Sequence, residues 1–291
     1  MSKAGPAAVL LISCPDRRGL IAGVTDFIYR NNGNIEHLDQ HVDPALGVFF
    51  MRIEWSLDGF SVPRERIHTD FSEVAAKFSM EWKLHFSDER PKFAIFVSKS
   101  LHCLYDILSR YREGWFNAEI PVIISNHRDA EDVAGFFGID FKYFDVTGDN
   151  KISSERKQMD LLKGYGVNFI VLARYMQILT KQFVDAYRYG IINIHHSFLP
   201  AFAGARPYEQ AHSRGVKIIG ATSHYVTEDL DEGPIIEQDV VRVSHRDSVE
   251  DIRKKGQDLE KVVLSRALNW HLDRRILVYG PSGGAKTVVF D

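Results

Sequence analysis

The sequence predicts an α/β protein with two domains, a ferredoxin-like βαββαβ unit over residues 1–87 and a Rossmann-like domain with a mostly parallel sheet over residues 88–291. Length is the first observation, because 291 residues lie within the range, roughly 250–300, where single hydrophobic cores stop growing. The second is the order of strand and helix patterns before residue 87. The third is the alternation of short apolar runs with helix-length segments after it.

Charge and apolar patterning exclude several classes of protein. The chain has 36 basic and 39 acidic residues, and its first 90 residues hold 10 of the basic and 13 of the acidic ones. Neither part has a basic excess, so no nucleic-acid partner is expected. The apolar run 167–179 is interrupted by Arg174 and Gln177, so no membrane span is expected. The only two cysteines, Cys14 and Cys103, predict no disulfide framework and a cytoplasmic location.

The first domain opens with an apolar strand over 9–13 and a helix. Four apolar residues recur at helical spacing, namely Leu20, Val24, Phe27 and Ile28. Strands over 35–42 and 48–55 then flank a turn with Pro and Gly, which is typical of a hairpin. A helix over 63–78, with Pro in its first turn, and a strand over 80–86 complete the ferredoxin-like order.

Two segments of this domain, Cys14 to Ile21 and Asn32 to Ile35, resemble the ACT domain, a small-molecule regulatory module. The resemblance implies an amino-acid effector bound at Asp16 to Ile21 and Asn31 to Asn34. It also implies a homo-oligomer, because that site often lies at a subunit interface. The alternative is that Gly19 and Gly33 only shape a turn and a helix end, and that the domain serves to dimerise.

The second domain follows a polar, proline-ended linker at 87–91. Its predicted strands are the apolar runs at 93–97, 122–125, 141–144 and 168–172. The segments between them are long enough for crossover helices, which predicts a parallel sheet. A long helix over 249–272 is indicated by Ser248 with Asp251 three residues later, a capping-box spacing. Short strands at 276–278 and 287–290 end the chain, with the glycine-rich segment 280–287 as the loop between them.

The stretch from Ile191 to Pro200 carries the strongest chemical signal. Apolar residues lead into Asn193 and His195, which point to the same side of a strand because they are two residues apart. Open α/β sheets place their sites at the carboxyl ends of parallel strands. Asp231 precedes a Gly-Pro turn later in the chain. An amide, an imidazole and a carboxylate suit acyl chemistry without a covalent nucleophile, although polar groups at strand ends can also be purely structural.

Four parts of the sequence are similar to the family that handles 10-formyltetrahydrofolate, which includes glycinamide ribonucleotide and methionyl-tRNA formyltransferases. They are Asn193 to His195, Ser197, Leu199-Pro200 and the segment Asp231 to Ile236. The resemblance implies that Asn193 stabilises an oxyanion, that His195 transfers protons, and that Asp231 orients water and balances charge on His195. Supporting or folate-binding positions carried over from the family are Thr222, His224, Arg174, Met176, Gln177 and Leu179. The plain alternative for 174–179 is a polar strand end that enters a helix near Thr180.

The acceptor of the formyl group separates the members of this family. A phosphorylated amine acceptor calls for a glycine-rich loop after the first strand of the domain, but the segment 97–104 has no glycine. Water is the remaining simple acceptor, so the resemblance implies hydrolysis of 10-formyltetrahydrofolate to formate and tetrahydrofolate, in one-carbon and purine metabolism. Two alternatives stay open at this point. One is formyl transfer to an amine, and the other is a catalytically silent folate sensor.

No metal and no prosthetic group are expected, with 10-formyltetrahydrofolate as the substrate. The histidines that could suggest zinc lack a recognised ligand spacing: His195, His196, His212, His224 and His245. The segment 280–287 is also not a phosphate-binding loop, because Ala285 stands where such a loop requires glycine.

Overall fold

The computed structural model describes residues 5–200, 207–281 and 284–291, and it divides into two compact units. Unit 1 comprises the chain up to Glu89 together with Asp273–Leu277 and Val288–Asp291, and unit 2 comprises Arg90–Leu272 and Val278–Thr287. The predicted second domain ran unbroken to residue 291, so the assignment of the two C-terminal segments to unit 1 is a correction. None of the described helices is long and apolar enough to cross a membrane.

Unit 1 is an antiparallel four-stranded sheet with two helices, in the predicted ferredoxin-like order. Its elements are β1 (Ala7–Pro15), α1 (Leu20–Arg30), β2 (Asn34–Asp43), β3 (Val48–Ser56), α2 (Arg64–Phe78) and β4 (Glu81–Phe86). The strands lie in the order β2-β3-β1-β4. One side of β3 supplies Phe49, Met51, Ile53 and Trp55 to the core, as their alternation predicts.

The opposite side of β3 explains why unit 1 includes the end of the chain. The guanidinium of Arg52, only 6% exposed, donates hydrogen bonds to the backbone carbonyls of Asp273 (3.2 Å) and Arg274 (3.1 Å). The backbone N–H of Asp291 bonds to Asp39 on β2 at 3.1 Å. These contacts join residues more than 200 positions apart, so no local pattern in the sequence reports them.

The glycines of the ACT-like segments have separate structural reasons. Gly19 caps the start of α1 with a left-handed φ of 89°. At the other end of α1 the left-handed residue is Asn32, with φ 58°, and not Gly33. Gly33 is required for space, because a Cβ there would lie 2.5 Å from Cγ2 of Ile28 and 3.0 Å from its carbonyl oxygen. Gly33 therefore serves the end of α1 by permitting a close approach of the chain and not by a left-handed conformation.

Unit 2 is built on a seven-stranded sheet with the order β11-β10-β9-β8-β5-β6-β7. The first part of its chain forms β5 (Phe93–Val97), α3 (His102–Arg112), β6 (Val122–Ser125), α4 (Glu131–Phe137), β7 (Asp140–Tyr143), α5 (Lys151–Tyr165) and β8 (Phe169–Leu172). The remainder forms α6 (Lys181–Ala186), β9 (Ile191–His195), α7 (Pro207–Ser213), β10 (Ile218–Tyr225), β11 (Ile235–Arg242) and α8 (Val249–Leu272). A two-stranded sheet of β12 (Ile276–Tyr279) and β13 (Lys286–Val289) follows.

The predicted mostly parallel sheet is confirmed, since β5 to β9 pair in parallel. Strands β10 and β11 extend it in the antiparallel sense. The register between β9 and β10 places His224 opposite Asn193 and Thr222 opposite His195. Residues from two distant sequence segments therefore lie side by side at this part of the sheet.

Helix α8 has the predicted capping box and a notch for an aromatic ring. Ser248 Oγ accepts from the N–H of Asp251 (3.2 Å), and the Asp251 carboxylate accepts from the N–H of Ser248 (3.0 Å). Two turns later, Gly256 leaves room for Tyr208, whose hydroxyl donates to the Glu260 carboxylate. A Cβ on Gly256 would lie 2.3 Å from that hydroxyl oxygen. In the loop between β12 and β13, Ser282 and Gly283 lie outside the described residues.

We expect Gly256→Ala to destabilise the protein by about 1–3 kcal/mol, because the added methyl group collides with the buried Tyr208 ring. Gly164→Ala is the matched control, since Gly164 also lies in a helix and a Cβ there meets nothing within 4 Å. Both substitutions gain the same helix propensity of about 1 kcal/mol, so the difference between them isolates the collision. Denaturant unfolding measures both free energies, and equal values would contradict the notch.

Candidate active site

A cavity of about 460 Å³ lies at the carboxyl ends of β8 and β9. Three segments form its wall: the loop 174–179 after β8, the end of β9 at 193–196, and the segment 226–231 after β10. Eight of the predicted site residues line it, namely Arg174, Met176, Gln177, Leu179, Asn193, His195, His224 and Asp231. The structure thus brings together side chains that are up to 57 positions apart in the sequence, from Arg174 to Asp231.

The carboxylate of Asp231 contacts the imidazole of His195 in the wall of this cavity. Asp231 Oδ2 lies 3.2 Å from Nδ1 of His195, and the His195 side chain is 8% exposed. The hydrogen bond from His195, and after it the proximity of the His224 ring, hold the pKa of the Asp231 carboxyl well below its ordinary value. Asp231 is therefore an anion at neutral pH that fixes the ring of His195. The other ring nitrogen, Nε2 of His195, is buried and has no hydrogen-bond partner among the described residues.

Asn193 is oriented by a second histidine. Nδ1 of His224 lies 3.0 Å from the carbonyl oxygen of Tyr225, a pure acceptor, so Nδ1 carries the proton. In the neutral ring Nε2 is then an acceptor, and it lies 3.1 Å from Nδ2 of Asn193. One N–H of the Asn193 amide is used in this contact. The second N–H is the donor that the amide can offer to a bound ligand.

The loop that carries Asp231 turns back closely against β10. Asp231 has a left-handed φ of 59°, which is uncommon for a residue other than glycine. A Cβ on Gly233 would lie only 1.7 Å from the carbonyl oxygen of Tyr225, so only glycine fits at that position. Backbone strain at Asp231 and a close approach at Gly233 therefore lie within two residues of each other in the loop that supplies the carboxylate.

Thr222, predicted as a supporting or folate-binding position, does not line the cavity. The residue is fully buried, and its hydroxyl donates to the carbonyl of Ser197 at 2.8 Å. The same oxygen accepts from the N–H of Leu199 (3.1 Å) and from Nε2 of Gln238 (2.9 Å). Thr222 therefore holds the chain that follows β9 and supports the site from behind.

The loop 174–179 is positioned by Ser98, at the end of β5. Ser98 Oγ accepts from the N–H of Met176 at 2.9 Å, and the Ser98 N–H donates to the carbonyl of Arg174 at 3.2 Å. Met176 and Ile178 are 63% and 59% exposed, so the loop offers apolar side chains at the mouth of the cavity. Helix α6 does begin after Thr180, as the plain reading of this segment expects, and the loop lines the cavity as well.

The sequence analysis missed a buried cluster behind this wall. Glu260 on α8 is 1% exposed and accepts from Nε2 of His102 (2.8 Å) and from the hydroxyl of Tyr208, and Nε of Arg174 lies 3.5 Å away. Burial by itself would raise the pKa of Glu260, but His102 and Arg174 outweigh it and the pKa is lowered. The sequence signal that could have found this cluster is a carboxylate in a stripe of α8 that is otherwise free of polar side chains. The stripe consists of Ile252, Gly256, Glu260, Leu264 and Leu268.

Among the described residues, one group of side chains has ligand atoms close enough together to hold a metal ion, and it lies in this cluster. The ligand atoms of His102, Cys103 and Glu260 lie within 4.8 Å of one another. Both Glu260 oxygens already have protein partners, and the Arg174 guanidinium supplies a positive charge beside them. The arrangement is that of a compensated buried carboxylate. None of the five histidines considered from the sequence belongs to the group.

Comparisons with known proteins match both parts of the chain. The family described as Formyl transferase matches residues 91–268, and the ACT domain family matches residues 8–54. A formyltetrahydrofolate deformylase of Synechocystis sp. is 55% identical over 97% of this chain and 98% of its own length. The crystal structure of such a deformylase from Pseudomonas syringae pv. tomato has a TM-score of 0.95 with 43% identity, covering 100% of this chain and 96% of that one.

A similar structure of a protein with a different activity in its name covers less of the chain. It is glycinamide ribonucleotide transformylase 1 from Symbiobacterium toebii, with a TM-score of 0.65 and 30% identity. The match covers 72% of this chain and 98% of that one.

Asp231 should make stability depend on pH. Because its folded pKa lies below the ordinary 3.8, the ionised carboxylate stabilises the fold above that value, and the contribution is lost as pH falls through the folded pKa. We expect Asp231→Asn to lower the free energy of unfolding by roughly 1–3 kcal/mol near pH 7 and by less near pH 3.

Denaturant unfolding across this pH range provides the measurement. The control is Glu232→Gln, which removes the exposed neighbouring carboxylate and should leave the pH dependence unchanged. A deficit in Asp231→Asn that stays constant down to pH 3 would argue against stabilisation by the ionised carboxylate.

Proposed function

Because the chain belongs to the formyltetrahydrofolate deformylase family, we propose that the cavity lined by Asn193, His195 and Asp231 is its active site. The enzyme is a hydrolase that converts 10-formyltetrahydrofolate and water to formate and tetrahydrofolate, in one-carbon and purine metabolism. The observation that carries the site assignment is the contact of the His195 ring with the Asp231 carboxylate at the cavity wall.

Formyl transfer to an amine, the first alternative, is not the activity of this family. The deformylases match over nearly the whole chain, including the ACT domain, whereas the transformylase from Symbiobacterium toebii matches 72% of it. The silent folate sensor is also set aside, since the relatives are named as enzymes.

In the proposed mechanism His195 takes the first proton. Asp231 is a weak base because its pKa is lowered, so it orients His195 and balances the imidazolium that forms. Water attacks the formyl carbon, its proton moves to Nε2 of His195, and the carbonyl electrons move to the oxygen. The free N–H of Asn193 stabilises this oxyanion. The tetrahedral intermediate then collapses, the bond from carbon to N10 breaks, and N10 takes the proton from His195.

We assign the pterin of the substrate to the loop 174–179. The loop is anchored through its backbone by Ser98, and Met176 and Ile178 offer apolar contacts to a flat heterocycle. Gln177 and Leu179 line the same wall, and His224 holds Asn193 behind it.

For the ACT domain we propose an amino-acid effector in a groove of unit 1. The groove, of about 960 Å³, is lined by Gly19, Gly33 and Asn34, which lie in the segments implied by the resemblance. Arg18, Asp26 and Lys77 line it as well, so it offers charges of both signs to a zwitterion.

We further propose that the chain forms a homo-oligomer in the cytoplasm. Tyr29, which is 80% exposed, lies in the same groove and would gain burial from a second copy. Two free, buried cysteines, Cys14 and Cys103, fit a reducing compartment. Sedimentation of the full chain tests the association.

Loss of the catalytic groups should abolish turnover and not folding. We expect Asn193→Ala to lower kcat by roughly 10²–10³-fold, the usual effect of removing one oxyanion donor. His195→Ala and Asp231→Ala should lose at least as much, because a base and its orienting carboxylate act as a unit. Release of formate from 10-formyltetrahydrofolate, without any amine, is the assay. Glu232→Ala is the control, and near-normal turnover in Asp231→Ala would refute the role of that residue.

An effector of the ACT domain should change activity through coupling between two states. We expect one of the common amino acids to bind the full chain and to shift the apparent substrate affinity by roughly 5–150-fold. Arg18→Ala should weaken this response, whereas Arg66→Ala, an exposed control on α2, should not. Calorimetry with each amino acid and formate release provide the data.

The full chain is required for this test, because a cut near residue 90 would separate unit 1 from its own C-terminal segments. If no amino acid binds, the ACT domain is an association module.

A further inference from the structure

His196 follows the proposed base directly and has no role in the mechanism above. It lines the cavity, and its ring centroid lies 5.2 Å from that of His195 and 5.8 Å from that of Tyr208. No hydrogen bond joins its ring to any other described residue. A histidine that lines the reaction cavity without a hydrogen bond to the described residues is available to a ligand or to water.

The surroundings of His196 keep its ring neutral. Burial and then the Arg174 guanidinium lower the pKa of His196 to about 4, and neighbouring His195 acts in the same direction. The carboxylates of Glu260 and Asp231 act against this shift and do not cancel it. Tyr208, the remaining ring against His196, is held by Glu260. At neutral pH one nitrogen of His196 is therefore a hydrogen-bond acceptor.

Hydrolysis places a special demand on the site. A water molecule offers two O–H bonds and two lone pairs to its surroundings, and one of the lone pairs must face the formyl carbon. A single acceptor, Nε2 of His195, leaves the molecule free to rotate about that hydrogen bond. A second acceptor fixes both O–H directions, so that a lone pair of the oxygen points at the formyl carbon.

We propose that His196 holds the attacking water by accepting a hydrogen bond from the O–H that is not transferred to His195. The oxygen lone pair forms the bond to the formyl carbon, the carbonyl electrons move to the oxygen beside Asn193, and one proton moves to His195. The second O–H stays hydrogen-bonded to His196. The bond to N10 then breaks, N10 takes the proton from His195, and formic acid loses its proton to solvent. This inference rests on the proposed roles of Asn193, His195 and Asp231.

Three variants test the role of His196. His196→Leu removes the acceptor, His196→Gln keeps an amide oxygen that accepts but cannot ionise, and His212→Gln changes an exposed histidine of α7 as the control. Measured are kcat and KM for formate release, the binding of tetrahydrofolate by calorimetry, and thermal unfolding.

We expect His196→Leu to lower kcat by roughly 10–100-fold, the effect of a misplaced reactant, with KM and tetrahydrofolate affinity unchanged within about threefold. His196→Gln should recover at least half of that loss on a logarithmic scale, and His212→Gln should match the wild type. A purely structural role would not produce the recovery by glutamine. If His196→Leu does not fold, His196→Phe, a planar ring without an acceptor, takes its place.

Three results would overturn the inference: wild-type kcat in His196→Leu, equal kcat in the Leu and Gln variants, or a parallel loss of tetrahydrofolate binding, which would make His196 a folate contact. The variants of Asn193, His195 and Asp231 distinguish a wrong role for His196 from a wrong assignment of the active site. If Asn193→Ala, His195→Ala and Asp231→Ala are active, the site itself is wrong. If they are inactive while His196→Leu is active, only the role of His196 is wrong.

Discussion

The carboxylate of Asp231 lies between two imidazoles, 3.2 Å from Nδ1 of His195 and 3.7 Å from Nε2 of His224, and the geometry of the site depends on this position. The anion fixes the ring of His195 and leaves its Nε2 without a protein partner among the described residues. Its place depends in turn on a backbone constraint. The loop can return to β10 only because Gly233 has no side chain, and because Asp231 itself adopts a left-handed conformation. A side chain at position 233, or a different backbone conformation at Asp231, would therefore displace the carboxylate from the two imidazoles.

The antiparallel addition to a parallel sheet supplies the second constraint. Side chains two apart on β9 share a face, so Asn193 and His195 point the same way. Pairing of β10 with β9 then sets His224 opposite Asn193 and Thr222 opposite His195. The two pairs have different contacts: His224 orients the Asn193 amide, whereas Thr222 holds the chain after β9. One register thus positions Asn193, His195 and the loop that follows them.

Behind the cavity, the buried carboxylate of Glu260 compensates the positive charge of Arg174, which lines the cavity. A buried carboxylate is costly unless it is paired, and here a histidine, a tyrosine and an arginine from three other elements satisfy it. The same pairing holds Arg174 near His196 and contributes to the neutral state of that ring. The stability of the fold and the electrostatic properties of the cavity therefore depend on one network.

Residue patterns by themselves predicted the helices and strands of this protein and the polar side chains of its candidate site. The hairpin of unit 1, the capping box of α8 and the placement of Asn193 and His195 at a strand end follow from periods of two and 3.6 residues and from short-range hydrogen bonding. These signals are local, and the structure shows the predicted elements in the predicted order. The resemblance to the folate-dependent family added the pairing of Asp231 with His195, because their distance along the chain carries no local signal.

Only the tertiary structure decided which distant groups meet. His102 and Glu260 are 158 positions apart, and their contact depends on how α3 packs against α8. Thr222 has the alternation of a site residue, yet its hydroxyl is bound by the chain after β9 and lies away from the cavity. Buried Arg52 finds its carbonyl acceptors at Asp273 and Arg274, more than 200 positions along the chain. In each case the reason is the same: the partner of a buried polar group is chosen by packing in three dimensions, whereas periodicity along the sequence reports only the face on which that group lies.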